Sequence, residues 1–269
     1  MKHTTIYLLL SVIIIFSSCE KVIDLPLDAA AKKYVIEGAI TDMKGGCRVL
    51  ISQTKNFNED NSFESVSGAA VSITDGNNNT ISLPETSPGI YADSLIKGMP
   101  GRTYAMHVNI NGTAFESSST MPFKVNMDSL YVTDDFLFGE VRKTPNVEFR
   151  DPRGTGNNYR FILYVNGVKR KNIYISNDSY SDGNFSSVKL FLFGDGDDDD
   201  DKKIKSGDKI GVDMLCISPD VYKYWYSLDA GATGNNSSAS PANPVSNISG
   251  GALGYFSAHT VQSRFADVP

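Results

Sequence analysis

The most conspicuous candidates for chemistry in this sequence are carboxylates, Asp195 and then Asp197 to Asp201. Acidic residues at alternate positions 195, 197 and 199 look like the opening of a calcium loop. An EF-hand loop needs Gly at its sixth position and a bidentate Glu at its twelfth, and here those positions hold Asp200 and Ser206. Adjacent carboxylates repel one another, and Lys202, Lys203 and Lys205 follow them. The run therefore reads as a solvated hairpin loop. His107 and His259 have no Cys, Asp or Glu at metal-ligand spacing. Ser249-Gly250-Gly251 sits in a small, polar stretch without the Gly-x-Ser-x-Gly elbow that would expose a nucleophile. Tyr222, Tyr224, Trp225 and Tyr226 could form an aromatic platform for a sugar or a peptide. Helical spacing predicts instead that Tyr222 and Trp225 anchor a helix while Tyr224 and Tyr226 are surface rings. No set of residues supports catalysis, so the sequence predicts a protein that is not an enzyme, with no cofactor and no metal site.

The elements that would position these residues are strands. Lys33 to Asp42 is apolar at its centre and ends in turn residues; Cys47, Val49 and Ile51 share one face of the next strand; Ala69, Val71 and Ile73 share one face of another. His107 to Ile110 meets Thr113 to Phe115 across Asn111-Gly112, the strongest short-range hairpin signal. In the second half Tyr159, Phe161, Leu163 and Val165 share a face, and Asn166-Gly167 turns the chain into a return strand through Ile173 to Ile175. Val188 to Phe193, Ile210 to Ile217 and Leu253 to Phe256 complete the series. One helix is predicted, capped by Ser218 with Pro219 in its first turn and Val221, Trp225 and Leu228 on one face before Gly231. The fold class is all-β: an N-terminal β-sandwich over 33–123, then a larger antiparallel β domain with one short helix over 124–269. A chain with 31 acidic and 25 basic side chains, net charge −6, has no electrostatic footprint for nucleic acid.

The N-terminus carries Lys2 and His3, an apolar run from Ile6 to Phe16, and Ser17-Ser18-Cys19. That is the pattern of a secretory signal over 1–18, too short for a spanning helix of about 20 residues. Phe16-Ser17-Ser18-Cys19 resembles the bacterial lipoprotein box, with Phe16 where Leu is usual. The resemblance implies cleavage before Cys19, lipid attachment at Cys19, and a tether over 19–32. Several acyl chains make a stable anchor where one is marginal. Cys47 and Cys216 remain as thiols. The strand faces assign each to its own core, which predicts two buried, reduced cysteines and no bridge between them.

Several segments in a fixed order carry a further resemblance: Cys19 to Leu25, Tyr34 to Gly38, Val66 to Asp75, Ser87 to Tyr91, Gly101-Arg102-Thr103-Tyr104, Asp151-Pro152 ahead of the Tyr159 strand, and Asn247-Ile248 ahead of Gly251 to Phe256. Together they resemble the Bacteroidota outer-membrane lipoproteins grouped as domain of unknown function 4249. The resemblance implies an immunoglobulin/transthyretin-like β-sandwich followed by a larger β domain, no assigned catalytic residues, and an accessory role beside a TonB-dependent outer-membrane receptor. The expectation is a lipid-anchored outer-membrane accessory protein that assists a TonB-dependent transporter by ligand capture or assembly, held to the membrane through its N-terminal lipid. The alternative is a surface adhesin or envelope-structural lipoprotein with no transporter partner.

Overall fold

The computed structural model describes residues 31–55, 64–137, 139–192, 203–232 and 243–269. Cys19 and the acidic run from Asp195 to Asp201 lie outside them. In the first half the strands are β1 (Tyr34–Thr41), β2 (Cys47–Gln53), β3 (Glu64–Ser65), β4 (Ala70–Asp75), β5 (Thr80–Leu83), β6 (Glu85–Ser87), β7 (Ile90–Asp93), β8 (Thr103–Ile110) and β9 (Thr113–Thr120). Then come β10 (Met127–Leu137), β11 (Glu140–Arg150), β12 (Asn158–Val165), β13 (Val168–Lys169), β14 (Tyr174–Asn177), β15 (Phe185–Lys189), β16 (Lys209–Ile217), the helix α1 (Pro219–Ala232) and β17 (Leu253–Asp267). Among the described residues the fold is all-β with one short helix, as the alternation of the apolar residues predicts.

Among the described residues these strands form three sheets. A ten-stranded sheet runs β13-β12-β16-β17-β1-β2-β7-β6, with β14 also on β12 and β3 on β2; β5-β4-β8-β9 and β10-β11-β15 form the others. The four-stranded sheet packs on the β1, β2 and β7 end of the large sheet. Its Val71, Ile73, Tyr104, Met106 and Val108 meet Ile36, Ile40, Val49, Ile51 and Tyr91 in one core. The three-stranded sheet lies over the other end, where Met127, Val147 and Phe149 meet Tyr159, Phe161, Leu163, Val212 and Met214 in a second core.

Strand β17 belongs to both ends. Its first half pairs in parallel with β1, Val35 opposite Leu253 through Thr41 opposite His259, and its second half pairs antiparallel with β16. Phe256 and Ala258 therefore sit in the first core although they lie far along the chain. The parallel pairing depends on Gly254, whose φ is +99° and at which a Cβ would sit 2.0 Å from the Ile36 carbonyl oxygen. Because side chains alternate across a strand, the even-numbered Phe256 and Ala258 both face the first core. The odd-numbered Tyr255 and Val261 face α1, which packs there in a third apolar cluster with Leu215, Ile217 and Val221.

Both Asn-Gly turns form as predicted, with positive φ at Asn111, Gly112, Asn166 and Gly167. Three elements depart from expectation. The strand expected at Val188–Phe193 is displaced to Phe185–Lys189, where it pairs with β11 from Asn146 to Arg150. The final strand extends eleven residues past Phe256 to Asp267, held by β16. The helix continues through Gly231 to Ala232. The β10–β11 hairpin has eleven residues in each strand. Its pairing persists to Leu137 opposite Glu140.

Candidate functional site

Polar chemistry concentrates where α1 crosses the large sheet. Arg160 on β12 points toward the helix, and its guanidinium lies 3.3 Å from the centroid of the Trp225 ring. Trp225, Tyr224 and Tyr255 form a mutual aromatic cluster with centroids 5.4, 4.7 and 5.2 Å apart. Burial works against the charge on Arg160, while Tyr255 and Glu37 favour it. A guanidinium over an indole face is held by cation–π attraction, which strengthens as water is excluded. The arrangement ties β1, β12 and β17 to the helix and leaves the Arg160 Nε without a hydrogen-bond partner.

The four aromatic residues of the helix divide differently from the helical-spacing prediction. Tyr224 is buried with Trp225, while Tyr222 is only partly buried. Tyr226 is 58% exposed, and its ring lies nearly parallel to that of Tyr222 at 6.1 Å. The helix packs across strand β17 as well as β12, so Tyr255 and Arg160 draw in the face that carries residue 224. Arg160 itself was missed by reasoning from the sequence. Its only signal was a charged residue among the apolar positions of a strand.

His259 is 8% exposed and its Nδ1 is 2.9 Å from the Ser257 Oγ. Burial, with the nearby Arg160 charge, lowers its pKa to about 4. Ser257 is 1% exposed. A serine so enclosed presents no face to a substrate, and this pair satisfies buried polar groups. His107, by contrast, is exposed, with Nδ1 3.3 Å from Glu116 Oε1. Ser249 donates to the Glu116 carbonyl oxygen and caps the edge of β9. Among the described residues no three His, Cys, Asp or Glu side chains are placed to share a metal ion.

The two cysteines occupy separate cores, both as free thiols. Cys47 is buried beside Val49 and Ile51; burial and the neighbouring Asp93 push its pKa up to about 12. Cys216 lies beside Ile210, Val212 and Met214, and burial raises its pKa too. Asp151, ahead of the Tyr159 strand, has a structural role: its Oδ1 accepts the hydroxyl of the fully buried Tyr159. Burial raises the pKa of both groups.

Among the described residues, hollows open on the surface beside the β10–β11 hairpin and on the four-stranded sheet. One of about 170 Å³ lies beneath the outer part of the β10–β11 hairpin, lined in part by Leu137, Val141, Lys143 and Ile204. The other, of about 410 Å³, is a trough on the four-stranded sheet lined by small residues such as Ala70, Ser72 and Ala114, with His107 and Glu116 on its wall. At the hairpin end Phe136 and Val141 face each other across the strands, and both are exposed. No helix among the described residues is long and apolar enough to cross a membrane.

A family model described as "Domain of unknown function (DUF4249)" matches residues 20–264. No curated protein matches the chain in sequence.

Proposed function

The chain belongs to the DUF4249 family, and from that premise we propose that it is a lipid-anchored accessory protein of the outer membrane which assists a TonB-dependent transporter by ligand capture or by assembly. The observation that carries the reading is the segment Phe16-Ser17-Ser18-Cys19, which follows an apolar run and precedes the first described strand at Tyr34. Acylation of Cys19 would hold the β unit at a membrane surface. The unit's own chemistry favours recognition over reaction. The Ser257–His259 pair and both thiols are buried, whereas the exposed Phe136–Val141 pair at the hairpin end and the sheet faces are open to partners. The protein acts without a cofactor and without nucleic acid.

The test is membrane purification of the full chain in mild detergent, with the Cys19→Ser variant alongside. The wild-type chain is expected to incorporate a palmitate analogue, partition into the detergent phase and co-purify with a TonB-dependent transporter. The variant should do none of these. Continued labelling of Cys19→Ser would refute the anchor. An anchored chain that purifies without a transporter, even after cross-linking, would favour the adhesin or envelope-structural alternative.

A further inference from the structure

The helix covers only part of the odd-numbered face of β17. Beyond it, four residues form one cross-strand row: Lys169 on β13, Tyr164 on β12, Gly211 on β16 and Phe265 on β17. The next row toward the helix holds Ile162, Asp213 and Ser263. Phe265 is 81% exposed. A Cβ on Gly211 would lie 3.0–3.2 Å from two of the Phe265 ring carbons. The ring thus rests against the sheet over the glycine, in the way an aromatic residue shields a glycine across a strand pair, and it remains largely open to solvent. The Asp213 carboxylate is fixed beside it. Its Oδ2 accepts the Tyr164 hydroxyl at 3.0 Å and its Oδ1 accepts the Ser263 hydroxyl. Each carboxylate oxygen can accept a further hydrogen bond. Residues two apart on a strand are spaced by about 7 Å, so the carboxylate stands roughly one sugar ring's width from the Phe265 platform.

We propose that this patch is a saccharide-binding site, in which Phe265 stacks on the C–H face of a pyranose, Asp213 accepts hydrogen bonds from its hydroxyls and Lys169 donates to its rim. A pyranose is apolar on its face and lined with hydroxyl donors at its edge, and the patch matches it: a flat apolar ring beside an acceptor held in place by two neighbouring hydroxyls. An acyl chain would use the ring but offer no further donor to the carboxylate, whose charge would be buried with only the Tyr164 and Ser263 hydroxyls to balance it, which is costly. Elements of a sheet hold such groups more rigidly than loops do. This inference rests on the ligand-capture half of the function proposed above and names the class of ligand.

The test is titration calorimetry of the full chain, in a detergent that lacks a sugar head group, with cellohexaose, laminarihexaose and maltohexaose as probes. At least one probe is expected to bind saturably with a dissociation constant of about 0.1–5 mM. Phe265→Ala should weaken it about tenfold or more, while Phe265→Trp, which keeps a platform, should retain it. Asp213→Asn should weaken it about fivefold. Thermal melts of the same variants report whether each is folded. Absence of saturation by all three probes to about 20 mM, or equal affinity of wild type and Phe265→Ala, overturns the proposal. So does Phe265-dependent binding of a lysine-rich peptide in place of a sugar. Transporter co-purification of Phe265→Ala is read separately, so loss of the saccharide site leaves the accessory role standing.

Discussion

Acid should unfold this protein partly through one buried histidine. His259 sits beneath α1 with its ring nitrogen on Ser257 and the Arg160 charge nearby, while Asp42 and the Ser257 hydrogen bond favour its protonation. Its folded pKa of about 4 compares with about 6.5 in an unfolded chain. Above pH 6.5 the residue is neutral in both states and contributes no pH dependence. Between pH 6.5 and 4 the unfolded chain binds a proton that the native state refuses, so stability falls as pH falls through that window. At about 1.4 kcal/mol per pH unit, the loss between pH 7.5 and pH 4.5 is about 2–3 kcal/mol. His259→Gln keeps a polar group for Ser257 and cannot titrate. Urea unfolding of the full chain at both pH values should therefore show the wild type losing about 2–3 kcal/mol more than the variant. The difference between the two proteins isolates His259 from the carboxylates, among them Asp135 and Glu140, whose lowered pKa values also cost stability in acid. Parallel losses in the two proteins would refute the buried, neutral assignment.

Further substitutions test the packing. Trp225→Ala removes the ring that faces Arg160 and should cost about 3–5 kcal/mol in denaturant unfolding, with loss of near-ultraviolet dichroism; a cost below about 1 kcal/mol would mean that α1 does not depend on the cluster. Gly254→Ala places a methyl group against the Ile36 carbonyl and should cost several kcal/mol, whereas Gly112→Ala, at a positive φ but in open space, should cost about 1 kcal/mol. Comparable melting temperatures for these two variants would contradict the parallel β1–β17 pairing. Tyr159→Phe should destabilise the protein by about 1–3 kcal/mol, because Asp151 is left buried without its hydroxyl donor. In the Cys19→Ser chain a thiol reagent should label neither cysteine quickly at pH 8 in the native state and two after denaturation; a count of zero after denaturation would require a bridge between the cores.

Local pattern made much of this protein legible. Period-two alternation identified the strands that carry Cys47, Val49 and Ile51, and those that carry Tyr159, Phe161 and Leu163, because one face of each strand had to be apolar. The same alternation assigned the two thiols to opposite cores. Asn-Gly chemistry located two hairpin turns, and Ser218-Pro219 located the start of the helix. Ordered short segments spread along the chain marked the family. What alternation could not reveal was partnership. Residues 260–267 are more polar than 253–256, and their continuation as a strand depends on hydrogen bonds from β16 across more than forty residues of sequence. The parallel pairing of β1 with β17 joins the first described strand to the last through backbone groups that leave no pattern in side-chain type. The division of the helix aromatics was decided by Arg160 and Tyr255, each on a different strand. The placement of Phe265 over Gly211 is likewise a property of register, and register is set by the tertiary pairing of strands rather than by any one of them.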